Sequence, residues 1–358
     1  MAVVASGTMS PMTPAEALSW ATQVAEEILF PAAISVDSAD RIPAEQLDAL
    51  ANAGLYGLAG PTAAGGLGAD GATLASVIEI MASGCLATTF VWLQHHSAVR
   101  ALATSENAVL RDQFLNSLCL GVYRAGIALG CARPGPPSLR ARTAPGGFVL
   151  DGVAPWVTGW DMIDVIQTLA RDDAGNVVAA LLPAQVGGTL AATRLPLVAV
   201  NASRTVELTF AGHYVPAELV TGVMPHAEWL ARDASRLRPN GSLSLGVGSR
   251  CCRILAQLAD QDNRLAGAAR PLAVELAAHR AALDHADADA MPAARAAASA
   301  FAFQAAGVLV AAAGSQAIRT DEHPQRLARE ALFLLVFGSR PAIKEQLTTR
   351  LTARGVGN

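Results

Sequence analysis

Two adjacent histidines are the first candidates for chemistry in this sequence, because imidazoles bind metals and transfer protons. His95 and His96 follow the apolar run at residues 90–93. Consecutive residues on a helix point about 100° apart, whereas a helical metal site needs ligands three or four positions apart. We therefore predict no metal site, and we expect one of the two histidines to line a pocket or to lie partly buried.

Adjacent thiols occur at Cys251 and Cys252, among five cysteines with no regular spacing. We interpret the pair as small residues on different sides of a buried helix. An odd number of irregularly spaced cysteines is typical of reduced thiols, so the sequence favours a cytoplasmic protein without disulfide bonds.

A glycine-rich loop at Gly65, Gly66 and Gly68 could hold a phosphate through its backbone N–H groups. The same glycines could instead make a tight turn between two helices. We favour the turn, because helical patterns flank the loop on both sides.

The first third of the chain has the pattern of successive helices. Thr13 followed by proline predicts a helix start, and Gly54 predicts a left-handed cap at a helix end. Apolar periodicity continues through 72–103 and 106–118. These signals define a predicted N-terminal helical domain at residues 1–125.

The sequence pattern changes in the middle third of the chain, where prolines and glycines between residues 134 and 147 exclude a helix. Short runs of strand-forming residues follow, with a hairpin-turn signal at 172–176. We predict a central antiparallel β-barrel domain at residues 126–222. The runs occupy 148–150, 165–169, 177–182 and 205–210.

The last third returns to helical periodicity and predicts a C-terminal four-helix bundle at residues 223–358. The expected fold class is thus α+β, mainly α, in three successive parts. The four helical segments are 243–258, 271–284, 293–312 and 325–337.

One segment of that bundle, 296–318, contains no charged residue and is long enough to cross a bilayer. Much of it is alanine, which contributes little to membrane insertion. We therefore expect a buried helix and no membrane span. Because the segment is also too apolar for an ordinary exposed helix, we expect a homodimer or homotetramer assembled through the bundle.

Composition narrows the function classes. The 358 residues are 52% hydrophobic but only 5% aromatic, and the net charge is -4. A net negative charge argues against a nucleic-acid-binding surface. Residues 1–12 lack the features of a signal peptide, which agrees with a cytoplasmic location.

Four fragments in a fixed order resemble the acyl-CoA dehydrogenases, flavoproteins that oxidise the Cα–Cβ bond of an acyl thioester. They read GLYGL at 54–58, AGGLG at 64–68, WVTG at 156–159 and VELTFAGHYVPAEL at 206–219. The resemblance covers nearly the whole chain and implies the same three-part fold. It further implies FAD as cofactor, an acyl-thioester substrate, a role in lipid metabolism and an electron-transfer partner.

The same resemblance implies where a flavin would bind. The WVTG segment is similar to one in which a tryptophan packs near the isoalloxazine ring and a threonine hydroxyl bonds a ring atom. At a second flavin-contacting segment, Ala132 and Arg133 stand where the family has threonine and glutamate. The implied cofactor-binding residues are Trp156, Val157, Thr158, Gly159, Ala132, Gly314, Gly338 and Ser339.

The catalytic carboxylate of the family is missing at its expected position. The family carries a glutamate beside a Gly-Thr pair, and here Phe337 precedes Gly338 and Ser339. Some relatives place the glutamate earlier, near 238–240, which also lacks a carboxylate. Helical geometry turns Glu330 away from Phe337, so we expect it, like Glu345, to be a surface or salt-bridge residue.

Three functions stay open on these residues. The protein could be an acyl-CoA dehydrogenase-like enzyme with an unrecognised base. It could be a flavin-dependent monooxygenase-like enzyme of the same fold, which needs no such carboxylate. It could also be a non-catalytic structural subunit.

Overall fold

The computed structural model describes residues 12–129, 132–234 and 237–353 of the chain, and it forms three successive parts. The first part is helical, with a π-helical stretch, Ala25–Leu29, between α1 and α2. Its helices are α1 (Pro14–Val24), α2 (Phe30–Ser38), α3 (Ala44–Asn52), α4 (Gly71–Gly84), α5 (Leu86–Ala103) and α6 (Ala108–Cys119).

The predicted start of α1 is confirmed by a reciprocal cap. The Thr13 hydroxyl accepts a hydrogen bond from the Glu16 N–H, and a Glu16 carboxylate oxygen accepts one from the Thr13 N–H at 2.7 Å. Such a capping box satisfies two N–H groups that have no partner inside the helix. Gly54, with φ of 68°, provides the predicted left-handed residue after α3.

The glycine-rich loop is a tight turn that folds back on the residues after α3. The Leu67 N–H donates to the Gly57 carbonyl at 2.9 Å. A Cβ atom on Gly66 would lie 2.2 Å from the Gly60 carbonyl oxygen. Glycine is required there because two backbone segments approach too closely for any side chain.

The second part is an eight-stranded sheet in the order β6-β7-β3-β2-β4-β5-β8, with β1 paired to β4. We expected an antiparallel barrel, and the sheet is open instead. Its end strands, β6 and β8, do not pair among the described residues, and β1 and β2 run parallel to β4. The strands are β1 (Ala125–Ala128), β2 (Leu139–Ala144), β3 (Gly147–Val157), β4 (Val165–Arg171), β5 (Asn176–Pro183), β6 (Leu190–Arg194), β7 (Val206–Pro216) and β8 (Val220–Pro225).

The third part is helical again and contains the four predicted segments as α8 to α11. Helix α8 packs against α9, α10 and α11, and α12 packs on α10. Helices α7 and α12 lie outside those four segments, within the part predicted to be helical. The bounds are α7 (His226–Ala234), α8 (Leu237–Gln261), α9 (Ala266–His285), α10 (Met291–Ala313), α11 (His323–Leu334) and α12 (Pro341–Ala353).

Helix α10 is the central helix of this bundle. Together with the short turn that follows it, Met291–Ile318, it is long and apolar enough to cross a membrane by length and composition. Its most apolar window is 56% buried, since α8, α9, α11 and α12 all contact it. The burial is that expected of a core helix in a helical bundle.

Candidate active site

A cavity of about 630 Å³ lies where the three parts of the chain meet. Its walls come from α5, the end of β3, the α7–α8 region and the segment that follows α11. This volume lies within the range of about 300–1,000 Å³ that is usual for small-molecule sites.

Trp156 stands on the cavity wall because the end of β3 is irregular. The pairing of β3 with β7 shifts register between Ala154 and Val157, which marks a β-bulge. Trp156 has a φ of 60° and its side chain is 60% exposed. A non-glycine residue in the left-handed region costs about 1–2 kcal/mol, and such strain clusters at functional sites.

Thr158 is the second predicted flavin contact, and it also lines the cavity. Its neighbours hold it there: Val157 is buried in the sheet, and the Gly159 N–H donates to the Ser203 carbonyl at 2.8 Å. The Thr158 hydroxyl is 3.3 Å from the Thr205 hydroxyl. This contact is longer than an ordinary O–H···O bond of about 2.7–2.8 Å, and because a hydroxyl can both donate and accept, it does not use the full hydrogen-bonding capacity of Thr158.

Phe337 also lines the cavity, in a cluster of three aromatic rings. Its ring packs edge-on against Phe90 at 5.1 Å and stacks with Phe333 at 5.6 Å. Gly338, with φ of 61°, lines the cavity beside it. Ser339 lies between two lining residues but is not itself on the wall.

The buried guanidinium of Arg295 holds the segment around Phe337 in place. Arg295 donates to the Ser244 hydroxyl at 3.1 Å, to the Ser299 hydroxyl, and to the Phe337 carbonyl at 3.3 Å. Ser299 in turn donates to the Leu334 carbonyl at 3.0 Å. Burial lowers the pKa of Arg295 to about 10. Sequence reasoning missed Arg295, although its place directly before the uncharged segment 296–318 was one available signal.

Carboxylates are scarce on the cavity wall. Among the described lining residues only Asp233 carries one; it is buried and forms an ion pair with Arg340. Both positions where the family would carry its base, Phe337 and the 238–240 region through Asn240, do face the cavity. Sequence reasoning missed Asp233, because nothing in its local pattern distinguishes it from a solvated helix-end residue.

We expected Glu330 to be either a surface residue or a salt-bridge residue. It is a salt-bridge residue, and it is buried. Its side chain is 3% exposed and accepts a hydrogen bond at 2.5 Å from Arg326, which is 1% exposed. As helical spacing predicted, Glu330 does not line the cavity. The face of α11 that carries Glu330 packs into the protein interior and does not face solvent. Glu345 on α12 is exposed, as expected.

The remaining predicted contacts lie off the cavity wall. Ala132 is buried, and its carbonyl accepts a hydrogen bond from His226 at 2.6 Å. The neighbouring Arg133 does line the cavity. Gly314 is exposed at the end of α10 and is not among the lining residues.

The predicted thiols and histidines are all buried. Cys251 and Cys252 are free and buried on α8, as interpreted from the sequence. Both histidines of α5 are buried, and His96 lines the cavity as expected for one of the pair.

Comparisons with known proteins agree with this architecture. Residues 15–121 match the model of the acyl-CoA dehydrogenase N-terminal domain. The chain is 25% identical over 215 residues to the mitochondrial short-chain specific acyl-CoA dehydrogenase of Bos taurus, covering 55% of this chain and 50% of that protein. The match thus spans about half the length of this curated relative.

Solved structures are similar over almost the whole chain. Butyryl-CoA dehydrogenase from Megasphaera elsdenii has a TM-score of 0.82 at 16% identity, covering 97% of this chain and 100% of that one. PigA, solved with FAD and proline, has a TM-score of 0.80 at 19% identity, covering 98% and 100%. The chain therefore matches the acyl-CoA dehydrogenase family through its N-terminal domain, residues 15–121, and shares the fold of solved acyl-CoA dehydrogenases over almost its whole length.

Proposed function

We propose that this protein is an FAD-dependent oxidoreductase whose cavity binds an acyl thioester or a related substrate, and that it lacks the α-carbon base of the family. The family match of residues 15–121 and the fold support flavin chemistry. The observation that carries the rest is Phe337, whose ring lies in an aromatic cluster on the cavity wall.

The wall residues fit a flavin on physical grounds. A flavin ring is planar, aromatic and edged with hydrogen-bond acceptors, and when bound it would accept two electrons from a substrate. Trp156 offers an indole ring at the cavity wall, and Thr158 offers a hydroxyl with only a long protein contact. We propose that Trp156 packs beside the cofactor and that Thr158 donates to one of its ring acceptors.

Proton abstraction is the step for which the wall offers no obvious group. Removing an acyl α-proton needs a base within hydrogen-bond reach of it. Phe337 cannot accept a proton, and Asn240 is an amide. Asp233, the carboxylate found on the described wall, is held by Arg340. These residues support a substrate other than a simple saturated acyl-CoA.

The phenylalanine at position 337, where a base would be expected, favours a second candidate: a flavin-dependent monooxygenase-like reaction on the same fold. Such a reaction needs no carboxylate at the position of Phe337. Dioxygen would then be the co-substrate, one oxygen atom entering the product and the other leaving as water at the expense of a reduced nicotinamide or another two-electron donor.

Flavin content is the first test. The purified protein should show the visible absorbance of a flavin, and denaturation should release FAD that chromatography identifies. Thr158→Val, which keeps the volume and removes the hydroxyl, should retain less FAD. Thr209→Val, at an exposed threonine of β7, is the matched control and should retain the wild-type amount. A colourless protein that does not take up added FAD would refute the proposal and favour a structural subunit.

Turnover is the second test. With straight-chain saturated acyl-CoAs and an artificial electron acceptor, the flavin-loaded protein should show little or no dehydrogenation. Rates of about 1–1,000 per second, which are ordinary for enzymes, would show that another residue supplies the base. Oxygen consumption with a reduced nicotinamide and candidate substrates would then separate the dehydrogenase from the monooxygenase.

A further inference from the structure

The two adjacent histidines of α5 are both buried but differ in their hydrogen bonding. His95 is fully satisfied: one ring nitrogen is 3.1 Å from the Leu118 carbonyl, and the other accepts from the Ala125 N–H at 3.1 Å. These bonds tie α5 to the end of α6 and to β1, so His95 has a structural role.

His96 has no such partners. Its side chain is 2% exposed, and neither ring nitrogen forms a hydrogen bond with any residue in the described part of the chain. Its ring packs edge-on against Trp92 at 4.6 Å. Most buried polar side chains in folded proteins are hydrogen-bonded, so an exception requires an explanation.

The position of His96 supplies that explanation, because it lines the cavity of the candidate site. At 1.5 Å per residue, it lies about 9 Å along the helix axis from Phe90. Phe90 contacts Phe337. Ser97, the next residue, and Arg100, one turn further along α5, line both this cavity and a second one of about 780 Å³. His96 is therefore set well away from the Phe337 end.

We propose that His96 is a specificity-determining residue that hydrogen-bonds a neutral polar group on the acyl part of the substrate, a hydroxyl or carbonyl remote from the reacting carbon. The substrate class is thus an oxygenated acyl chain and not a plain saturated one. This inference rests on the proposed function for the acyl-thioester part of the ligand.

The chemistry of the ring selects such a group. Burial, with smaller contributions from His95 and Arg100, holds the pKa of His96 well below its usual range, so the ring is neutral. A neutral imidazole offers one donor and one acceptor. A hydroxyl matches both, and a carbonyl matches the donor. The terminal torsion of histidine is broad, so the ring can turn a nitrogen toward an entering ligand.

A stability measurement tests the assignment without any substrate. His96→Phe keeps an aromatic ring beside Trp92 and removes two unsatisfied nitrogens. If His96 serves a ligand, the variant of the substrate-free protein should melt at a higher temperature than the wild type. A lower melting temperature would show that His96 contributes to the fold, and the inference would be overturned.

Binding measurements test the specificity itself. Calorimetric titration of the FAD-loaded protein should compare saturated acyl-CoAs with counterparts that carry a hydroxyl at successive positions along the chain. At the best position the hydroxylated ligand should bind about tenfold more tightly, as expected for one neutral hydrogen bond. The difference should vanish in His96→Phe and return in part in His96→Gln. Thr209→Val, at the exposed threonine of β7 and off the cavity wall, is the control that should keep it.

Failure of this inference and failure of the proposed function give different results. If both kinds of acyl-CoA bind equally at every position, His96 selects nothing and the inference is wrong, while the proposed function stands. If no acyl-CoA binds, the thioester proposal is wrong. In that case straight-chain diols and the matching monoalcohols replace the thioesters as ligands. The inference is overturned if the protein binds diols and monoalcohols equally. It is also overturned if a preference for the diol persists in His96→Phe.

Discussion

Replacing Glu330 by glutamine should destabilise the protein strongly while leaving its shape unchanged. The substitution keeps the volume and removes the charge that faces Arg326 at 2.5 Å. Both side chains are almost fully buried, at 3% and 1% exposure. Removing one partner of a buried ion pair leaves an uncompensated charge and costs about 3–5 kcal/mol.

That cost converts into a melting temperature. Unfolding entropy is about 2.1 cal/mol/K per residue, or about 0.75 kcal/mol/K for a chain of this length. Glu330→Gln should therefore melt about 4–7 °C below the wild type. Differential scanning calorimetry of both proteins at neutral pH measures the difference directly.

Two further variants make the reasoning refutable. Glu345→Gln, at an exposed glutamate of α12, is the matched control and should melt with the wild type. Replacing the pair together, by Arg326→Met with Glu330→Leu, removes both buried charges and should recover most of the lost stability. The reasoning fails if Glu330→Gln melts with the wild type, or if the double variant is less stable than the single one.

Three other perturbations test separate parts of the structure. Burial lowers the pKa of His95 from 6.5 to about 3, so the unfolded chain binds the extra proton first. The contribution of His95 to the unfolding free energy should be constant above pH 6.5 and fall below it by about 1.4 kcal/mol per pH unit. Urea titrations of His95→Gln should therefore show an acid slope that is shallower than that of the wild type by this amount. Gly66→Ala would set a Cβ 2.2 Å from the Gly60 carbonyl oxygen and should cost about 1–3 kcal/mol, whereas Gly71→Ala, with open space around its Cβ, should not lower the denaturation midpoint. Phe337→Glu places a carboxylate on the cavity wall and should raise dye reduction with saturated acyl-CoAs; no gain in a variant that retains FAD contradicts the assignment of this position.

Local signals in the sequence predicted the elements well, because caps and turns depend on neighbouring residues. The Thr13 cap, the left-handed Gly54 and the hairpin at 172–176 are all confirmed. Sheet closure was not predictable, since strand patterns do not define which edges pair. The burial of Glu330 and the exposure of Asp233 to the cavity depend on tertiary packing that one-dimensional periodicity does not contain.

The hydrogen bonds of Arg295 make the cavity wall and the helical bundle a single mechanical unit. One guanidinium joins Ser244 on α8 to the Phe337 carbonyl, and Ser299 extends the link to the end of α11. We therefore expect a structural change in the cavity wall to affect the bundle, and by thermodynamic linkage the effect is reciprocal. In particular, we expect a ligand that contacts the ring of Phe337 to change the stability of the bundle, and a change in the packing of the bundle helices to change ligand affinity.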